Sequence, residues 1–168
     1  QSGCSIFVVH ARKAWLSGLS PKENREVPEL RHEWVYRLKL ESPQLTIILN
    51  GGIATATEAV AHAGHVDGVM LGRAAHHNPW ILSECSEALG SQPGVPDRTA
   101  AVLEMSRYIE ERIAQSVPVK HISRHLLGLF QGLPGARSWR RYISDHAHRD
   151  EADSRLLFKA MDQMQAVS

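Results

Sequence analysis

Apolar and polar positions along the first half of the chain alternate between two periods. Residues 6–9 are a continuous apolar run, as expected of a buried strand. A polar loop over 11–28 leads to a predicted helix over 29–41. It places Leu30, Trp34, Val35 and Leu38 on one face and stops at Ser42-Pro43. Residues 45–49 read as a second strand, closed by Asn50, Gly51 and Gly52. Thr55 followed by Glu58 is a capping box, predicting a helix that ends near Gly64. Residues 68–71 read as a third strand, stopped by Gly72 and Arg73, and Asn78-Pro79 is expected to cap a helix reaching about Leu89.

The pattern changes at the stretch GSQPGVP over 90–96, beyond which only the helical period recurs. Asp97 caps a predicted helix with Val102, Met105, Ile109 and Ile113 in phase. Pro118 introduces a second, carrying Ile122, Leu126, Leu129 and Phe130. The turn from Gly132 to Gly135 leads into a third with Trp139 and Ile143, and Leu156, Leu157, Ala160, Met161 and Met164 line a fourth. The expected organisation is a βα-alternating α/β portion over 1–90, a linker over 91–96, and an all-α, antiparallel helical bundle over 97–168.

Composition adds bounds. The 168 residues are 43% hydrophobic and 22% charged, an ordinary globular balance. No apolar run approaches the roughly 20 residues of a membrane span, so a cytoplasmic protein without membrane contact is expected. Cys4 and Cys85 have no zinc or disulfide spacing and read as buried small hydrophobes. His62/His65 and His121/His125 have helical spacing without a carboxylate partner, so no metal site is expected. The net charge of +1 conceals an uneven distribution: residues 120–149 carry six Lys or Arg against one acidic residue. Lys120, Arg124, Arg137, Arg140, Arg141 and Arg149 form a basic block able to face a polyanion.

In parallel βα architectures ligands bind at the C-terminal ends of the strands. Here the first strand ends in His10, Ala11, Arg12 and Lys13, the second in Asn50, Gly51 and Gly52, the third in Gly72 and Arg73. Glycines at two successive βα turns let bare backbone N–H groups approach a phosphate, and Arg73 adds charge at the same place. A phosphorylated cofactor or substrate is the expected ligand. Arg137, Arg140 and Arg141, spaced i, i+3, i+4, would share one helix face along a phosphate backbone, whereas Trp139 between them reads as core.

Four stretches carry a resemblance: HARKAWLSGLSPKENRE at 10–26, LNGGI at 49–53, DGVMLGRAAHHNPW at 67–80 and HLLGLFQGLPGARSWRRYIS at 125–144. Together they closely resemble the tRNA-dihydrouridine synthases, A-type subfamily. The resemblance implies an FMN-binding (β/α)8 TIM barrel joined to a helical tRNA-binding domain. In that family NADPH reduces FMN, the flavin passes hydride to C6 of a uridine, and a cysteine gives a proton to C5. The A-type members act in the D-loop at positions 20 and 20a. Carried over by motif, His10 would contact FMN, and Asn50, Gly51, Gly52, Gly72 and Arg73 would hold its phosphate. Lys22, Arg25, Arg137 and Arg140 match positions the family uses to orient tRNA.

Two family features are missing. The catalytic cysteine lies in an NxGCP motif, which does not occur here, and the family's early flavin-binding lysine has no counterpart either. A barrel needs about 250 residues and the α/β portion has about 90, so the expectation is the C-terminal part of a synthase, monomeric when complete. Alone it should expose sheet edge and barrel interior, bind FMN poorly and not turn over. Two other readings remain at this stage. A different TIM-barrel enzyme with a phosphate site explains the strand-end glycines but not the basic helices. A non-catalytic RNA-binding module explains the basic helices but not the glycines.

Overall fold

A computed structural model describes residues 3–15, 17–91 and 94–165, with the Arg25 side chain outside that set. The order of elements is β1 (Ile6–His10), α1 (His32–Glu41), β2 (Thr46–Asn50), α2 (Ala56–Ala63), β3 (Gly68–Met70), α3 (Arg73–His77), α4 (Ile81–Ala88), α5 (Arg98–Ile113), α6 (Val119–Ser123), α7 (Ala136–His146) and α8 (Leu156–Gln165). The chain divides into two compact units, 1–74 and 75–168. That division falls ahead of the 91–96 stretch, of which residues 92 and 93 lie outside the described set. Helix α4 belongs to the second unit, where Arg98 from α5 lays its guanidinium over the Trp80 ring at 4.7 Å and approaches Glu84 at 3.9 Å.

The first unit is α/β. Its three strands pair in parallel in the order β1-β2-β3, and the register aligns His10 with Asn50 and Asn50 with Met70. In β2, Ile47 and Leu49 are fully buried, while Ile6, Phe7 and Val8 of the edge strand β1 are exposed. The N-terminal end of the sheet is tied by ion pairing. Lys39 Nζ lies 2.8 Å from Asp67 Oδ2, which also accepts from the Ile47 amide at 2.8 Å. These two donors hold the Asp67 carboxyl below its ordinary range. The capping box is formed as predicted, with the Thr55 side chain accepting from the Glu58 amide and Glu58 reaching back to the Thr55 amide.

Several local readings are corrected. Helix α1 begins at His32, not 29, because the Arg31 amide is drawn to the Ala11 carbonyl at 2.7 Å and Leu30 bridges Arg12. Trp34 is exposed, under the Arg31 guanidinium at 5.6 Å, instead of packing inward. Cys4 is exposed and donates to the Ile6 carbonyl, whereas Cys85 is buried, which with Glu84 raises its thiol pKa. Asn78 does not cap α4 with its side chain. Its backbone carbonyl accepts from the Ile81 amide, and its buried Oδ1 has no partner among the described residues.

The described elements of the second unit are all helical. Trp139 is fully buried at its centre, donating from Nε1 to the Leu126 carbonyl at 2.8 Å and meeting Phe130 edge-on at 4.7 Å. Val102, Ile109, Ile143, Leu157 and Ala160 pack in the same cluster, while Ile113 is exposed at the end of α5. The segment after Pro118 is not one helix. Helix α6 tightens into a 3-10 turn over Arg124–Leu126 and gives way to turns, and in these the Gly128 backbone passes so near His77 that a Cβ there would overlap its carbonyl. Gly135, at φ 75°, then turns the chain into α7.

Candidate functional site: the C-terminal edge of the sheet and the α7 face

Because β1 and β2 run in register, His10 and Asn50 end side by side, and the turn Gly51-Gly52 follows at the same edge. Gly51 and Gly52 have φ of 119° and 79°, a region that favours glycine. A Cβ on Gly52 would run into Leu30 Cδ1, and one on Gly51 would press on the His10 ring at 3.1 Å. The turn is therefore packed between His10 and Leu30. Gly72 differs: its φ is not positive, and a Cβ there would stand in open space. No packing demands glycine at this position. Arg73 follows it and opens α3 rather than lying in a plain turn.

The loop between β1 and α1 reaches the same edge. Its Ser20 and Glu23 cap each other reciprocally: the Ser20 amide donates to Glu23 Oε2 at 2.7 Å and the Glu23 amide to Ser20 Oγ at 3.3 Å. Hydrogen bonding to the Ser20 side chain, and then to its backbone amide, lowers the Glu23 carboxyl pKa. Asn24 closes the loop, accepting from the Trp15 amide and donating to its carbonyl, both at 2.9 Å. Arg12 donates to the Glu26 and Pro28 carbonyls. Arg73 Nη1 pairs with Glu26 Oε1 at 3.0 Å. Lys22 is exposed on this loop, and nothing is described of the Arg25 side chain.

The structure thus brings His10, Asn50, Gly51 and Gly52 together and ties Arg73 to the loop that carries Lys22. Glycine backbone at positive φ and an arginine after the neighbouring strand are groups of the kind that bind phosphate. Asn24, Glu26 and His32 are parts of this edge to which the sequence assigned no role. The S-x-x-E spacing of Ser20 and Glu23 was a usable signal; Glu26 with Arg73 left none.

On α7, Arg137, Arg140 and Arg141 are all exposed, while Trp139 points inward. Arg140 donates to Gln131 Oε1 at 2.8 Å and Arg141 lies 3.7 Å from Asp145. Among the described residues no group of three or more His, Cys, Asp or Glu could hold a metal ion, and no helix is long and apolar enough to cross a membrane.

A parallel α/β unit with an anion-suited strand edge, followed by helices with an exposed arginine face, defines the class. The particular family follows from comparison. The profile of the dihydrouridine synthase (Dus) family matches residues 1–165, and the chain belongs to that family. It is similar to the tRNA-dihydrouridine(20/20a) synthase of Escherichia coli (strain K12), 53% identical over 159 residues, covering 94% of this chain and 46% of the relative. The proteins of the same name from Salmonella typhi and Xanthomonas axonopodis pv. citri (strain 306) are 51% and 50% identical over 162 and 161 residues. Each comparison covers 96% of this chain, and 49% and 48% of the relatives. The chain spans about half the length of the curated relatives it matches.

Proposed function

We propose that this chain is part of an FMN-dependent tRNA-dihydrouridine synthase that reduces D-loop uridines at positions 20 and 20a, with NADPH as reductant. The three strands are read as part of a (β/α)8 TIM barrel, and the helical unit as an all-α tRNA-binding bundle. The working enzyme is read as a monomer in the cytoplasm, with tRNA as its macromolecular partner. The observation that carries this reading is the register of His10 with Asn50, which sets the Gly51-Gly52 turn at the sheet edge.

The residues present fit the phosphate end of a flavin nucleotide: a glycine turn with positive φ, the open space around Gly72 and a guanidinium at Arg73. When bound, FMN supplies the hydride for C6 of the uridine. In this reading Asn50, Gly51, Gly52, Gly72 and Arg73 hold its phosphate and His10 contacts it. Lys22, Arg25, Arg137 and Arg140 hold the tRNA backbone, which must stay fixed while the target base leaves its stack. Neither Cys4 nor Cys85 lies in the family's NxGCP context, and the proton to C5 is assigned to no residue of this chain.

The test is direct. The purified full gene product should carry FMN and, with NADPH, form dihydrouridine in tRNA that lacks it. Protein without flavin that leaves such tRNA unchanged overturns the reading.

A further inference from the structure

The Gly51-Gly52 turn contains two residues without Cβ, and an unassisted glycine pair has wide conformational freedom. One hydrogen bond stands out as a restraint. His32, the first residue of α1, places Nε2 2.8 Å from the Gly51 carbonyl oxygen. A carbonyl can only accept, so Nε2 carries the proton and donates. The peptide between Gly51 and Gly52 is planar and trans. Anchoring its C=O on α1 therefore aims its N–H, the Gly52 amide, to the opposite side.

The imidazole is itself held. Its ring lies 4.5 Å from that of His62 on α2, tilted by 56°, and His62 Nδ1 is 2.5 Å from the Tyr36 hydroxyl. Tyr36 in turn stacks on His65 at 4.3 Å. Burial and the neighbouring His32 keep the His62 pKa below its ordinary value, which favours a neutral ring beside His32.

We propose that His32 is a positioning residue for anion binding: by fixing the Gly51 carbonyl it orients the Gly52 amide toward a phosphate at the strand edge. The proposal rests on the reading of that edge as a phosphate site. It names a residue outside the glycine turn and the strand ends, on the helix that backs them.

The test uses the purified full gene product, inorganic phosphate as the probe, and 15N relaxation of the Gly52 amide. His32→Phe and His32→Leu remove the donor, and His32→Gln restores an N–H at similar reach. The wild-type Gly52 order parameter should be near 0.85, that of both donor-free variants below about 0.6, with His32→Gln recovering most of the difference. Phosphate binding should weaken about fivefold in the donor-free variants and recover in His32→Gln. Unchanged order parameters in the donor-free variants overturn the proposal, as does phosphate binding equal in all four proteins. If the wild type binds no phosphate while Gly52 still loosens, the positioning of the amide stands and the phosphate reading falls. If only His32→Gln folds, the bond serves the fold rather than the turn, and the proposal is overturned.

Discussion

Arg73 Nη1 lies 3.0 Å from Glu26 Oε1, joining the end of the third strand to a loop that leaves the first. The cation assigned to the phosphate is thus already paired, at a site where both partners are largely exposed, 60% and 47%. Exposed pairs are worth roughly 1 kcal/mol or less, so a phosphate can displace the carboxylate, at a cost in affinity. Glu26→Gln removes the competitor and should tighten inorganic phosphate binding by up to about fivefold in an NMR titration. Unchanged or weaker binding would mean that Glu26 does not compete.

The two kinds of glycine at the edge should separate. Gly52→Ala places a methyl against Leu30 at φ 79° and is expected to cost about 1–2 kcal/mol, a drop of several degrees in melting temperature. Gly72→Ala meets open space and should change stability by less than about 0.5 kcal/mol while weakening phosphate binding. If Gly72→Ala binds phosphate as well as the wild type, the open space there has no ligand role.

Stability of the first unit should depend on pH in two windows. His62 is held below its ordinary pKa of 6.5 by burial and His32, although Glu58 acts in the opposite sense. Between that value and the lower folded one, the unfolded chain binds more protons, so acidification favours unfolding. Glu58 and Asp67 have lowered pKa values, from hydrogen bonds led by the Ala54 amide and by Lys39, and their contribution disappears only at more acid pH. Urea denaturation followed by the NMR signals of β2 should show a lower midpoint as pH falls below 6.5, and His62→Gln should flatten that first decline. A midpoint that rises over this window would contradict the assignment.

The α7 face predicts a salt effect. Arg137 and Arg140 are exposed on a helix whose inward side is fixed by Trp139, so replacing both by Ala should leave the fold intact. Binding to tRNA should weaken, and the slope of log affinity against log salt should fall by about 1.5–2. An unchanged slope would place both residues off the RNA.

Local chemistry was legible in the sequence, and contacts between distant segments were not. The Thr55 and Glu58 capping box formed as read because both partners lie within one helical turn. The strand ends at His10 and Asn50 were visible from apolar runs that stop at polar or glycine residues, and the parallel register then aligned them. The start of α1 was misplaced because Leu30 and Arg31 pair with Arg12 and Ala11, a long-range bridge that overrides helical periodicity. The close approach of the Gly128 backbone to that of His77 joins segments 51 residues apart, which no hydrophobic pattern encodes. Glu26 reads as one acid in a charged loop until the fold brings it to Arg73.

The most direct test of the central claim is position-resolved mass spectrometry of D-loop dihydrouridine in tRNA from cells lacking the gene. Loss of the modification at positions 20 and 20a is expected, recovered with the wild-type gene and less fully with Arg73→Ala. Dihydrouridine unchanged at both positions would contradict it.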